Sequence, residues 1–338
     1  MSAIAPTLVR HKASDAATTS AIAVNSTAHT ASASDTLHAS NAAPLTVSVD
    51  CPAKTNLVLH VGSTHEEWGG RHELDTIYCA VGVYDTVTAT AKQPGTGFSL
   101  AIEGAYLGDL ASSSADMRRN HAVLALFAMA EAAGREPDVA LTITKRIPVG
   151  AGLGGGSADA AATLLAVNRL WDLHWPVERL RAIAATLGAD MPFCVTGGMA
   201  RGTGFGEQIT DIAPDSEQGL RLAKEGFAGQ VLVGAYQSQL STPEVYHTFD
   251  VVGAGAQDAN HLQASAISLH PRSGQAIEAA LAAGARHAFV SGSGPSVVAF
   301  VPDDTAADQV ITAWRDEALV DRIIRAVAPA KPSVGVSH

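Results

Sequence analysis

The chain has little cysteine, little positive charge and no apolar run long enough to span a membrane as a helix. Its three cysteines, Cys51, Cys79 and Cys194, are odd in number and scattered, with no C-x-x-C pair. That usage points to reduced thiols in a cytoplasmic protein rather than to a disulfide framework. The histidines show no H-E-x-x-H or other ligand spacing, so no resident metal site is expected. Against 33 Asp and Glu stand only 22 Lys and Arg, a net charge of −11. This balance argues against nucleic-acid binding and leaves recognition of any anion to local groups. No internal repeat is evident, and 338 residues, 47% of them apolar, suffice for two domains.

Residues 1–44 are more than half Ala, Ser and Thr and carry no lasting apolar period. Such a segment cannot offset its ordering entropy, and it reads as a disordered N-terminal extension or a misassigned start. It is acid-poor and serine-rich like a transit peptide, but Arg10 is its only arginine. Beyond it, short strands are expected at Leu45–Asp50, Asn56–Val61, Leu74–Val81, Thr86–Ala91 and Phe98–Ile102. Helices are expected at Asn120–Ala133 and Pro176–Leu187. Further strands (Gln230–Tyr236, His287–Val301, Arg322–Val327) and helices (Gln275–Ala283, Thr305–Glu317) follow. Strands and helices grouped this way indicate α+β rather than a repeating βαβ array.

The densest signal is Pro148-Val149-Gly150-Ala151-Gly152-Leu153-Gly154-Gly155-Gly156-Ser157-Ala158. It joins an alternating run, Leu141 to Ile147, to an alanine-rich helical one. A strand, a glycine loop and a helix start bring free backbone N–H groups to one point, with the positive end of the helix dipole behind them. Without Cβ atoms the backbone can close on a polyanion, so phosphate is the expected ligand. Ser157 adds a hydroxyl for capping the helix or for meeting phosphate or Mg²⁺. A tight turn with a serine cap is the plainer alternative.

Gly150 to Gly155 fits G-x-G-x-x-G, but the match lies mid-chain and Asp172, the nearest candidate for the acid expected about 20 residues later, ends a helix rather than a strand. No lysine precedes Ser157, which excludes a Walker loop, and protein-kinase motifs are absent. The catalytic groups must therefore lie elsewhere. Upstream is Cys51-Pro52-Ala53-Lys54-Thr55-Asn56-Leu57, whose lysine is set among apolar neighbours as if partly enclosed with an anion. Downstream is Ser291-Gly292-Ser293-Gly294 between two apolar strands. Taken alone, it reads as a plain hairpin turn.

These three motifs, in this order, resemble the GHMP kinase superfamily. The resemblance runs through Pro52 to Leu57, Arg71-His72-Glu73-Leu74, Asn120, Ile147 to Ala161 and Leu187-Gly188-Ala189-Asp190-Met191-Pro192-Phe193. It continues through Gly202 to Glu207, Ser241 to Tyr246 and Ser291 to Gly294, covering about residues 45–325. Within the superfamily it is nearest the branch that phosphorylates a hydroxyl of 4-diphosphocytidyl-2-C-methyl-D-erythritol in non-mevalonate isoprenoid synthesis. Other members, of homoserine or mevalonate type, and a non-catalytic nucleotide-binding regulator are the alternatives.

The resemblance implies a two-domain architecture with the active site between the domains. Residues 45–205 form the ATP-binding domain, 206–330 the C-terminal domain and 331–338 a tail. It implies Asp190 as catalytic base with Lys54 as partner, although on sequence alone Asp190 reads as a turn or cap residue. ATP and Mg²⁺ are the implied cofactors, with ATP held by Pro148 to Ala158 and Asn120, the latter equally an N-cap. Asn56, Arg71 and His72 are the implied substrate contacts, and His72 reads otherwise as a loop histidine. Family members usually have tyrosine, implied to stack on cytosine, where this chain has Arg71. A guanidinium can also stack on a base. The expected partner is a small molecule, and the oligomeric state is left open.

Overall fold

The computed structural model describes residues 24–25, 45–104, 117–256 and 258–337. Two antiparallel strands dominate: β2 (Thr46–His65) and β3 (Arg71–Ala91), with β1 being Val24–Asn25. Each long strand covers what the sequence suggested were two. Pro52 cannot donate to the ladder, and the pairing absorbs it in a register shift at Pro52/Ala53, followed by shifts at Asn56/Val58 and Val61/Thr64. These irregularities are absorbed in the pairing without ending the strand.

Around this pair the first sheet runs β1, β4 (Ser99–Gly104), β5 (Val139–Lys145), β3, β2, β12 (Ser333–Ser337). β4 and β5 are parallel, and α1 (His121–Ala133) lies between them in the chain. Asn120 caps α1, and Gly134 ends it in the left-handed conformation. Val123, Leu126 and Met129 form its buried face, whereas Leu124 and Phe127 are exposed. α2 (Gly155–Leu170) follows the glycine loop and packs across β2 and β3. Its alanines favour helix, and their small size lets the helix be buried on nearly all sides (Ala158, Ala160 to Ala162, Ala166).

α3 (Val177–Leu187), the short α4 (Met191–Cys194) and the hairpin β6 (Met199–Thr203)–β7 (Gln208–Asp211) complete this half. The expected boundary at 205/206 falls in the turn of that hairpin, so β7 stays with the first sheet because it is paired to β6. The second half adds α5 (Glu217–Glu225), β8 (Gly229–Ala235), α6 (Thr242–Val252) and α7 (Gln263–Leu269). α8 (Pro271–Ala282), β9 (His287–Val290), β10 (Val297–Phe300), α9 (Asp304–Asp316) and β11 (Arg322–Ala328) follow. Its sheet order is β11-β8-β10-β9, all antiparallel, and β11 rests on β3. Trp314, fully buried, anchors the core of this half and donates its indole N–H to Ala276.

Of residues 331–338, expected to be a tail, Ser333–Ser337 instead returns to the first sheet. Ser333–Ser337 pairs antiparallel with Thr46–Asp50, satisfying the outer edge of β2. The N-terminal segment 1–44, expected to be disordered, lies outside the described residues except for Val24 and Asn25, which pair with Leu100 and Ser99.

Candidate active site

β2 delivers Lys54 and Asn56, two residues apart and so on one face of the strand. Both are buried. The Lys54 ammonium lies 3.1 Å from Asp190 Oδ2 and donates to Asn56 Oδ1 at 3.0 Å. Asn56 Nδ2 donates to Thr76 Oγ1 (2.8 Å), which donates to Val58 O (2.6 Å). From β3, Tyr78 donates its hydroxyl to Asp190 Oδ1 at 3.0 Å. Each polar atom in this chain has a use, as burial requires.

Asp190 stands at the N-cap position of α4, yet its carboxylate makes no cap hydrogen bond. Its two oxygens meet Lys54 and Tyr78 instead. With side-chain exposures of 30% for Asp190 and 8% for Lys54, the carboxylate is the member of the pair open to solvent. The structure thus spends Asp190 on the pair rather than on the turn.

The glycine loop closes over the same point. Lys54 donates its backbone N–H to Leu153 O at 2.9 Å, and a Cβ on Gly154 would lie 2.7 Å from Lys54 Cγ. Gly154, in the left-handed conformation (φ 67°), occupies the cap position of α2 without a side chain to cap it. The N–H groups of Gly155, Gly156 and Ser157 therefore have no acceptor among the described residues. Ser157 lies within the first turn and is not the cap, and its hydroxyl is likewise unpartnered among the described residues.

The downstream motif meets the loop from the second sheet. A Cβ on Gly152 would collide with Ser291 O, and Ser291 Oγ donates to Gly152 O at 3.1 Å. Ser296 N–H reaches Ala151 O at 3.3 Å. Asn260, buried and not anticipated, ties the turn in place by donating to Val290 O and Gly292 O (2.9 and 2.8 Å). All three motifs therefore converge where the halves meet.

The remaining expected contacts are farther apart. Asn120 Oδ1 accepts from Ala122 N–H (2.9 Å), so its oxygen is spent on the α1 cap. Next to it His121, also unanticipated, packs its ring over Gly156. Burial, then the Lys145 charge, holds that imidazole below the usual histidine range. Arg71 is exposed and lies over the Phe205 ring, 4.6 Å from its centroid. His72 turns elsewhere: its ring stacks on Tyr246 (5.2 Å), with Nδ1 3.0 Å from Gly62 O and Nε2 3.3 Å from Asp250 Oδ1. The structure gives these neighbours separate environments. Burial and then the Asp190 charge raise the Tyr246 phenol, which puts this stack within electrostatic reach of the base candidate.

Tyr78 and Thr76 escaped the sequence reading because alternating apolar and small polar residues on a strand look like ordinary core. Lys145 escaped because a strand lysine usually faces water. Among the described residues, no group of three or more His, Cys, Asp or Glu is placed to hold a metal, and no helix is long and apolar enough to cross a membrane.

Known proteins sharpen this geometry. Residues 120–198 match the GHMP kinases N terminal domain and residues 247–320 the GHMP kinases C terminal. Over 293 residues the chain is 79% identical to a 4-diphosphocytidyl-2-C-methyl-D-erythritol kinase of Bifidobacterium longum subsp. infantis, covering 87% of this chain and 93% of the relative. The chain belongs to the GHMP kinases.

A protein of the same name from Mycolicibacterium gilvum is 40% identical to this GHMP kinase over 268 residues, 74% of this chain and 80% of that one. A crystal structure of 4-(cytidine 5'-diphospho)-2C-methyl-D-erythritol kinase superposes with a TM-score of 0.64 at 28% identity, covering 84% of this chain and 99% of the other. Homoserine kinase from Cytophaga hutchinsonii matches with a TM-score of 0.64 at 18% identity over 89% of this chain and all of that one, a likeness of fold alone. By its family the protein is an ATP-dependent small-molecule phosphotransferase of α+β fold.

Proposed function

We propose that this cytoplasmic kinase transfers the γ-phosphoryl group of ATP to a hydroxyl of 4-diphosphocytidyl-2-C-methyl-D-erythritol in non-mevalonate isoprenoid synthesis. The substrate is taken from the names of the relatives, several of them above 70% identical. The observation that carries the chemistry is the Lys54–Asp190 pair, 3.1 Å apart, beside a loop whose N–H donors are unpaired among the described residues.

Phosphoryl transfer to an alcohol passes through a loose transition state, so positioning and charge neutralisation supply most of the rate. Asp190, oriented by two donors and open to solvent, accepts the proton of the attacking hydroxyl. Lys54 balances negative charge developing on the transferring group. The N–H groups of Gly155 to Ser157 and the α2 dipole hold ATP phosphates, with Pro148 to Gly154 and Ala158 shaping the cradle and Asn120 flanking it. Asn56 holds Lys54 and borders the substrate, while Arg71, over Phe205, and His72, against Tyr246, are assigned to the cytidine from their separate environments.

Mg²⁺ fits this site as an ion carried in with the nucleotide: among the described residues no group of three or more His, Cys, Asp or Glu is placed to hold a metal, and Ser157 offers a hydroxyl at the start of α2. Held by phosphate oxygens and Ser157, it would screen the charge between the β and γ positions.

An ATP-coupled assay over a panel of alcohols, with and without a cytidine diphosphate group, tests the proposal. Turnover confined to the cytidine diphosphate conjugate is expected. Preference for homoserine or mevalonate would reassign the enzyme within its family, and nucleotide binding without any turnover would make it a regulator.

A further inference from the structure

Beneath the glycine loop lie three charged side chains that the proposed chemistry leaves unused. Lys145, Asp85 and Asp159 are 3%, 0% and 4% exposed. Lys145, the last residue of β5, donates to Asp85 Oδ2 and, at 2.7 Å, to Asp159 Oδ2. Asp85, on β3, also accepts through Oδ1 the backbone N–H groups of Arg146 (2.6 Å) and Ile147 (2.8 Å). Asp159 belongs to the second turn of α2, and its Oδ1 has no hydrogen-bond partner among the described residues.

The cluster therefore grips both ends of the loop. Asp85 fastens the residues that enter it, and Lys145 bridges from there to the helix that leaves it. A Cβ on Gly155 would lie 3.3 Å from Lys145 Nζ, so the ammonium sits directly under the first residue of α2 and its free N–H. Charges buried this way are costly, and apolar side chains of similar size are often at least as stabilising. Apolar packing lacks direction, however, whereas hydrogen-bonded ions fix the angle and spacing of the groups they join.

We propose that Lys145, bridging Asp85 and Asp159, is a positioning residue for the phosphate cradle, setting the loop ends so that the free N–H groups converge on the phosphates of ATP. The inference rests on reading the glycine loop as the ATP phosphate site. Replacing Lys145 removes no group assigned to touch ATP or alcohol and alters only how the loop is held.

The test is calorimetric titration of ATP with Mg²⁺ into the wild type, Lys145→Met and Asp159→Asn, alongside KM for each substrate, kcat and melting temperature. Lys145→Met is expected to weaken ATP binding about tenfold or more, with KM for ATP rising in parallel. KM for the alcohol and kcat at saturating ATP should change little by comparison. Asp159→Asn keeps the volume and an acceptor for Lys145, so it should fold and show a smaller shift in the same direction, which keeps the test open if Lys145→Met does not fold. Folded variants with wild-type ATP affinity and only a lower melting temperature would reduce the cluster to a structural one and overturn the inference. A wild type that binds no ATP would instead sink the reading of the loop, and this inference with it.

Discussion

Tyr78 and Asp190, 112 residues apart, meet in a 3.0 Å hydrogen bond in which the phenol donates to the carboxylate. Tyr78 is buried, stacked on Phe193 from the helix that Asp190 opens. Burial and the Asp190 charge push the phenol well above its usual range, so at neutral pH it can only hold its proton and donate. The carboxylate thus has one neutral and one cationic donor, and its direction is set by β3 as much as by Lys54.

Tyr78→Phe keeps the stack and removes the donor. A hydrogen bond of this kind is worth about 1 kcal/mol, roughly fivefold in an equilibrium or a rate. The expected outcome is a kcat reduced by about that factor with KM for ATP unchanged. An unaltered kcat would mean that Lys54 alone orients Asp190.

Gly154→Val should abolish ATP binding with little change in the far-ultraviolet circular dichroism spectrum. Valine is strained at φ 67°, and its Cβ would press on the stem of Lys54 beside the free N–H groups. Calorimetry showing wild-type affinity in a folded variant would contradict the phosphate role of the loop.

Asp159 predicts a pH dependence. Burial raises its carboxyl to about 7, Lys145 pulling it down and Asp85 pushing it up. The unfolded value is about 3.9. Between the two, the folded chain keeps a proton that the unfolded chain has released, so this contribution to stability is present at low pH and is lost as pH rises through the window. Asp159→Asn cannot titrate, so its melting temperature relative to wild type should climb from about pH 4 to about pH 7. Parallel curves would show that Asp159 does not titrate in that window.

Arg71 lies on Phe205, at the position where the resemblance implies a tyrosine. If its guanidinium offers a stacking face to cytosine, Arg71→Ala should raise KM for the cytidine substrate with little effect on kcat, and Arg71→Tyr should preserve or lower it. Base stacking is worth about 1–3 kcal/mol, which bounds the effect. Equal damage from both variants, with wild-type binding that weakens steeply as salt rises, would rule out stacking and give Arg71 a charge role at the diphosphate.

Much of this site was legible because glycine spacing has a direct physical meaning. Gly152 and Gly154 mark places where a Cβ would strike Ser291 O and Lys54, and a strand before and alanines after define the junction. The polar network around Asp190 was not legible, because Tyr78 and Thr76 reach it only through the pairing of β2 with β3. Pro52 and the polar stretch Lys54 to Asn56 resembled a strand break, yet register shifts carry the strand through. Ser333–Ser337 is too short and polar to announce itself, and it becomes a strand only against the free edge of β2.

The central claim is that Asp190 acts as the base of a phosphoryl transfer in which Lys54 shares. Single-turnover transfer from ATP to the cytidine diphosphate conjugate by Asp190→Asn, with ATP affinity measured in parallel, tests it most directly. The account predicts a rate lower by about 10²–10⁴-fold at near-normal ATP affinity. It also predicts that Lys54→Ala together with Asp190→Asn loses far less than the product of the single effects. A near-normal rate in Asp190→Asn would contradict the account and leave Asp190 a residue of the turn.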